Sequence, residues 1–366
     1  MSLRVNSTIG EFVSRSFEGR NSIKRISKRQ NAKSKKMKQI LNRLINQESI
    51  SAEEARNVLV NISEGQYNQS QIASFLTVYM MRNITLEELQ GFRDALLDLC
   101  IPVDISEFNA IDLCGTGGDG KDTFNISTLA SFITAGAGVK VAKHGNYGVS
   151  SASGSSNVME ALGLKFTNNI DVLKNTIDKA GICVMHAPLF HPAMKNVAPI
   201  RRELGVKTFF NMLGPMVNPA FPKNQMVGVF NLELQRLYGY LYQNTDKNYS
   251  IVHALDGYDE ISLTGKTKII TNSSEVMLEP SDLGLKQIQQ SDIFGGDSVE
   301  SSANIFKNII SGQGTEAQNN VVCANAGLAI ATVNNISHKD GFELAKQSLE
   351  SGRAKDSLEK LIELSK

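Results

Sequence analysis

The 366-residue chain has no tryptophan, only eight prolines and five histidines, and no uninterrupted run of eighteen apolar residues. A membrane-spanning helix needs about twenty consecutive apolar residues, so the sequence excludes one. The four cysteines, Cys100, Cys114, Cys183 and Cys323, lie far apart and form no C-x-x-C pair. That spacing excludes the usual zinc and dithiol motifs. Aliphatic neighbours around each cysteine point instead to buried thiols in a reducing compartment. There is no internal repeat and no low-complexity linker after the first three dozen residues. What remains, with 41% hydrophobic and 20% charged residues, is the composition of a globular protein long enough for one large or two ordinary domains.

The net charge of +1 hides an asymmetry. Residues 1–36 carry ten Lys/Arg and two Glu, a charge of +8, so residues 37–366 carry −7. The acidic body gives no general case for nucleic-acid binding. The basic segment, rich in Ser and Asn, reads as a disordered leader with Met37 as the functional beginning. An organellar transit peptide or a nucleic-acid or membrane-surface arm has the same composition.

From Met37 to about Val103 the periodicity is helical, with Met37, Ile40, Leu41, Leu44 and Ile45 on one face. Ser51 to Glu54 and Thr85 to Glu88 read as capping boxes, and Ile72 to Met81 as a helix between them. This is a small all-helical N-terminal domain. Residues 104–366 alternate short apolar runs with helical segments: Ala110–Cys114, Val139–Ala142, Ile182–Met185, Met226–Phe230 and Ile251–Leu255. That alternation predicts a larger α/β domain with a mostly parallel central sheet. Residues of about 191–215 look irregular to helical and are expected to return to the opening helices. Ala324–Val333 and Phe342–Leu364 read as helices.

The informative segment is the strand Ile111–Cys114 running into Gly115-Thr-Gly117-Gly118-Asp119-Gly120-Lys121-Asp122, with a helix opening at Asn125-Ile-Ser127-Thr128. Glycines allow close backbone approach to phosphate oxygens, and the helix N-terminus adds free N–H groups. Two familiar patterns nearly fit. A dinucleotide fingerprint needs an acid at the end of the next strand, where Lys143-His144 stands instead. A Walker loop needs Ser or Thr for the metal where Asp122 stands, and that carboxylate would repel phosphates.

Strand C-termini meet at the ligand crevice of open α/β sheets, so Lys143-His144-Gly145-Asn146 should face the glycine loop, together with the small residues 150–156. Asp256-Gly257-Tyr258-Asp259-Glu260 follows another strand. Adjacent carboxylates there suit Mg2+, which takes one or two carboxylates, waters and phosphate oxygens. Asp259 and Glu260 are the favoured ligands.

These segments, with His191-Pro-Ala-Met-Lys195, the stretch Arg201 to Asn211, Leu213-Gly-Pro215 and Asn218-Pro219, occur in the order found in anthranilate phosphoribosyltransferases. The resemblance runs from about Met37 to the end. It implies a homodimer with the active site between a helical and an α/β domain, and a reaction of tryptophan biosynthesis. In that reaction the 5-phosphoribosyl group of phosphoribosyl pyrophosphate moves to the amine of anthranilate, with Mg2+ as cofactor and two ions per site. It further implies that Gly115, Gly117, Gly118 and Asp119 bind pyrophosphate. Asn125, Ser127, Thr128 and Lys143 would hold the phosphates of the phosphoribosyl donor, Ser127 also near a metal, and Thr123 and Ser155 would bind substrate. Asp259 and Glu260 would hold two Mg2+. His144, Asn146, His191 and Arg201 would line the anthranilate channel, Arg201 facing the carboxylate. The enzyme would be cytoplasmic.

There are departures. Tyr147 stands where many members have Arg, Asn157 where Asp is usual, and Lys207 where Arg is common, and an ammonium lacks the guanidinium fork. The anthranilate amine is neutral near pH 7, so no strong base is needed. His144 is a candidate proton relay, and His186, His253 and His338 read as structural or surface. The rival readings are a pyrimidine nucleoside phosphorylase, whose loop typically begins Ser-Thr-Gly-Gly, and a non-catalytic relative that binds nucleic acid.

Overall fold

The protein is described from a computed structural model, which covers residues 35–148 and 154–366. The basic leader's three readings therefore fall almost wholly outside the described residues, as do residues 149–153.

Four helices open the described chain: α1 (residues 35–45), α2 (Ala52–Ser63), α3 (Gln69–Met81) and α4 (Leu86–Asp98). Both expected capping boxes are present. Ser51 Oγ accepts from Glu54 N–H and the Glu54 carboxylate accepts from Ser51 N–H; Thr85 and Glu88 repeat the exchange. These bonds satisfy amides that a helix start leaves unpaired.

The rest is β1 (Ile111–Gly115), α5 (Ile126–Gly136), β2 (Val141–Gly145), α6 (Ser155–Ala161), α7 (Ile170–Ala180), β3 (Ile182–His186), α8 (Ala187–Phe190), α9 (Ala198–Leu204), α10 (Phe210–Leu213), β4 (Asn224–Gly228), α11 (Leu232–Tyr242), β5 (Asn248–Ala254), β6 (Thr267–Thr271), β7 (Glu275–Leu278), α12 (Val299–Ile310), α13 (Glu316–Asn334), α14 (His338–Glu350) and α15 (Arg353–Leu364). The strands form one sheet in the order β3-β2-β1-β4-β5-β6-β7. The first five pair in parallel and the last two antiparallel, so the sheet is mostly parallel. Strands β6 and β7 carry no long apolar run, which is why the sequence pattern passes over them. Alternation alone does not separate a half-exposed edge from a loop.

Side chains alternate between the sheet's faces and feed separate apolar clusters. On one face Ile111, Leu113, Val141 and Ile182 pack with α5 and with Val321, Leu328 and Ile330 of α13. On the other, Val227, Val229 and Ile251 pack with α11 and with buried residues of α1–α4. Ala193, Val197, Ile200, Phe209, Phe210 and Leu213 join this second cluster, so the segment between β3 and β4 lies against the opening helices. Phe92 and Phe209 stack at 4.5 Å, with Phe75 edge-on to both.

The strand order reverses beside β1: the chain adds β2 and β3 on one side and β4 on the other. A crevice opens where successive crossovers diverge, beyond the C-terminal ends of β1 and β4. Gly115 and Gly228 end those strands and pair with each other.

Candidate active site

A cavity of about 860 Å3 occupies that crevice. Every site residue singled out from the sequence lines it: Gly115, Gly117, Gly118, Asp119, Thr123, Asn125, Ser127 and Thr128 from the β1–α5 side; Lys143, His144, Asn146 and Ser155 after β2; His191 and Arg201 from the returning segment; and Asp259 and Glu260 after β5. Among the described residues no helix is long and apolar enough to cross a membrane.

The acidic end is built by close backbone packing. Gly117 N–H donates to Asp259 Oδ2 at 2.7 Å, and Ser127 N–H at the start of α5 donates to Glu260 Oε1 at 3.1 Å. A Cβ on Gly115 would stand 2.4 Å from Asp259 Oδ2, so only glycine lets that carboxylate lie over the strand end. Burial and then the charge of Asp119 push Asp259 up to about 7. Burial and the charges of Asp259 and Asp119 push Glu260 well above the ordinary range. Glu260 Oε2 is buried without a hydrogen-bond partner. Asp119, taken with the pyrophosphate loop in the sequence, thus also belongs electrostatically to this acidic group; its Oδ1 accepts from Lys121 N–H at 3.0 Å.

The basic residues beside it are positioned differently. Lys143 is 2% exposed and donates to the Leu113 carbonyl at 2.8 Å. One of its three N–H bonds is thereby committed to the end of β1, and burial lowers its pKa while the carboxylates of Asp112 and Glu260 oppose that. Lys207, from the returning segment, reaches across to the carbonyl of Gly118. Lys121 lies over the Tyr258 ring at 4.6 Å.

Two histidines and an arginine line another part of the cavity. His144 and His191 are both buried, with ring centroids 5.2 Å apart. Burial lowers His144 to about 3, helped by His191, and lowers His191 to about 4. Both rings are neutral at pH 7, and both keep a buried nitrogen without a partner. A group with so low a pKa is a weak resting base, which limits the relay reading of His144. Arg201 lies over Phe210 at 5.2 Å and donates to Asn211 Oδ1 at 3.2 Å, while its Nε is buried and unpartnered. Burial lowers it to about 10, so it stays charged.

The three remaining histidines are structural: His186 stacks on Phe166 and meets Ser156 Oγ at 2.9 Å, His253 meets the Val229 carbonyl at 2.8 Å, and His338 the Ala324 carbonyl at 2.8 Å. Asn157, a departure from the pattern, accepts from Gly148 N–H at 2.9 Å and Gly154 N–H at 3.0 Å, tying together the chain on either side of residues 149–153. Tyr147 packs edge-on to His186 at 4.7 Å. Sequence reasoning missed Gly228, whose added Cβ would fall 1.4 Å from the Asp259 carbonyl oxygen. It also missed Asp112, fully buried and accepting from His144 N–H at 3.3 Å. No local motif marks either residue, because their partners are distant in the chain.

Residues 107–355 match the model of a glycosyl transferase family, a/b domain, and residues 38–100 that of a glycosyl transferase family, helical bundle domain. The anthranilate phosphoribosyltransferase of Flavobacterium psychrophilum is 73% identical over 329 residues, 90% of this chain and 100% of that protein. That of Bacteroides thetaiotaomicron is 54% identical, with 90% and 99% covered. Among solved structures, anthranilate phosphoribosyltransferase from Thermus thermophilus matches with a TM-score of 0.82 at 31% identity, covering 89% of this chain and 98% of that one. The Saccharomyces cerevisiae enzyme in complex with PRPP and Mg matches with a TM-score of 0.82 at 28% identity, covering 90% and 98%. With its crevice, its acidic turn and its full-length likeness to these proteins, the chain belongs to the anthranilate phosphoribosyltransferase family.

Proposed function

We propose that this chain transfers the 5-phosphoribosyl group of phosphoribosyl pyrophosphate to the amine of anthranilate, giving N-(5-phosphoribosyl)anthranilate and pyrophosphate for tryptophan biosynthesis. The observation that carries the reading is the polarity of one cavity. Its lining joins buried carboxylates and a glycine loop to an arginine with an unpartnered N–H and two neutral histidines.

The donor end fits Mg2+. Among the described residues Asp259 and Glu260 form no ion pair, and both are held toward protonation by burial and by repulsion from Asp119, with Asp259 adding to it at Glu260, a cost that a divalent cation removes. Two side chains rather than a closed cage suit an ion that keeps water and phosphate oxygens as ligands. Asp259 and Glu260 would hold it, with Asp119 and Ser127 beside them; two ions per site are part of the proposal. When bound, Mg2+ supplies charge neutralisation to the departing pyrophosphate.

The chain's own residues do the rest. The transition state places positive charge on the ribose ring and growing negative charge on the leaving group, so it calls for fixed N–H donors at the pyrophosphate. The loop of Gly115, Gly117 and Gly118 and the start of α5, with Thr123, Asn125, Thr128, Ser155 and the remaining N–H bonds of Lys143, line the cavity where such donors are needed. Arg201 would pair with the anthranilate carboxylate, and Asn146, His144 and His191 would fix the ring with the amine toward C1. Because that amine is neutral, attack needs no prior deprotonation; the proton lost afterwards can pass to His144 or to water.

The proposal includes a homodimer, supported by the exposed apolar Ile45, Met80 and Met81 on α1 and α3, and a cytoplasmic location, supported by four free cysteines. It includes a division near residue 103 between the helical and α/β parts, supported by the change there from consecutive helices to alternating strands and helices. The test is loss of anthranilate fluorescence on mixing protein, Mg2+ and phosphoribosyl pyrophosphate, with thymidine phosphorolysis run alongside. Loss that needs all three components and no phosphorolysis is expected; phosphorolysis without fluorescence loss would overturn the reading.

A further inference from the structure

Asn325 lies on α13, outside the cavity lining, and is 2% exposed. Its side chain is spent on one neighbouring residue. Oδ1 accepts from Ile261 N–H at 3.0 Å and Nδ2 donates to the Ile261 carbonyl at 2.8 Å. The second Nδ2 hydrogen returns to the Val321 carbonyl of the same helix at 2.9 Å, which locks the side-chain rotamer. An amide offers donor and acceptor in one plane, so gripping both polar groups of a residue fixes the tilt of its peptides as well as its position.

Ile261 directly follows Glu260, and its own side chain is fully buried. The turn of residues 259–261 is therefore held from two sides. Gly117 in the glycine loop, Ser127 at the start of α5 and the bare Cα atoms of Gly115 and Gly228 at the strand ends meet it from one side. Asn325 meets it from α13, which packs over β1, β4 and β5 and so refers the turn to those same strands. Other buried positions of this helix, such as Val322 and Leu328, are apolar and need no such bonds. A carboxylate pair serving a cation must hold its oxygens to a few tenths of an ångström, and outer-shell partners supply that orientation.

We propose that Asn325 is a positioning residue that sets the Asp259–Glu260 carboxylates for a divalent cation and the pyrophosphate it accompanies. This rests on the reading that those carboxylates hold the metal.

The test compares Asn325→Leu, which keeps the branched shape and removes the hydrogen bonds, with Asn325→Ser and Asp259→Asn. Mn2+ binding is measured by electron paramagnetic resonance with phosphoribosyl pyrophosphate present and anthranilate absent, against a protein-free blank. Amide exchange at Ile261 is followed in parallel. In the Asn325 variants the exchange should quicken. The Mn2+ dissociation constant and the Mg2+ needed for half-maximal turnover should rise about tenfold or more, with KM for anthranilate within about twofold of the parent. Should Asn325→Leu not fold, the smaller Asn325→Ser carries the comparison. Faster exchange with unchanged Mn2+ binding overturns the proposal, as does an equal loss of metal and anthranilate binding. If Asp259→Asn also binds Mn2+ like the parent, the metal reading itself fails. If Asp259→Asn loses binding while the Asn325 variants keep it, only the role of Asn325 fails.

Discussion

Gly228→Ala should disable the enzyme without touching any group that contacts substrate. The backbone of Gly228 is not in the left-handed region, so alanine can adopt its conformation. The obstacle is proximity: the added methyl would stand 1.4 Å from the Asp259 carbonyl oxygen and 2.5 Å from its carbon. Since Cβ atoms do not approach other atoms closer than 3.0 Å, the difference from 1.4 Å requires the turn to retreat by about 1.6 Å. A movement of that size breaks the 2.7 Å bond from Gly117 N–H to Asp259 and the 3.1 Å bond from Ser127 N–H to Glu260. Hydrogen bonds to charged groups contribute about 1.5–3 kcal/mol each, so losing two costs about 3–6 kcal/mol. If that falls on the transition state, kcat/KM for phosphoribosyl pyrophosphate drops by roughly 10²–10⁴. The assay is initial-rate fluorescence at saturating anthranilate over a Mg2+ titration. The control is Gly239→Ala inside α11, where the nearest atom would be 4.0 Å away and the change should stabilise by about 0.5–1 kcal/mol. A Gly228→Ala enzyme within about threefold of the parent, with the same Mg2+ dependence, would refute the reasoning.

Further outcomes follow from the same geometry. Asp259→Asn with Glu260→Gln should remove most activity, and excess Mg2+ should restore little; near-parental turnover would sink the metal assignment. Arg201→Ala should raise KM for anthranilate far more than KM for phosphoribosyl pyrophosphate, and equal increases would mean that Arg201 does not face the acceptor. In metal-free protein, the rise of Asp259 from 3.8 to about 7 is worth at most about 4 kcal/mol. The sign is that of an acid favoured in its protonated form by folding. The stability penalty is absent below pH 4, grows through pH 4–7 and is complete above. His144 and His191, lowered by burial, act oppositely as pH falls below 6.5, so the test is the difference between parent and Asp259→Asn. The melting temperature of Asp259→Asn should gain on that of the parent as pH rises from 4 to 8, and parallel curves would contradict it.

The helical opening was legible because capping boxes and three- and four-residue spacing are local, and Ser51, Thr85 and their partners act within one turn. The glycine loop and the strand ends were legible for a related reason: in a parallel sheet the crevice side of each strand follows from chain direction. Strand limits were less so. β1 and β2 extend through Gly115 and Gly145, beyond the apolar runs, because parallel pairing continues with glycine at the end. β4 begins at the polar Asn224 and Gln225, which are buried by hydrogen bonds to Asn109 and Pro215 rather than by apolar character. The residues singled out from the sequence all line the cavity, whereas other lining residues, such as Leu96, Ala198 and Gly296, and the cavity's support were not legible. Asp112, Gly228 and Asn325 act on His144, Asp259 and Ile261, each on a different element far along the chain, and such pairings leave no spacing to read.

The cavity's two ends are anchored in different apolar clusters. The proposed acceptor side, with Arg201, is carried by a segment packed among α1–α4, while the acidic turn is pinned to the sheet and α13. On the proposed reading, the distance between nucleophile and sugar is a mechanical property of the whole molecule, set by how two cores lean on each other. A substitution deep among the opening helices can change turnover by reaiming the acceptor while leaving metal binding intact. Acceptor preference can likewise drift over generations without disturbing the half of the site that handles pyrophosphate.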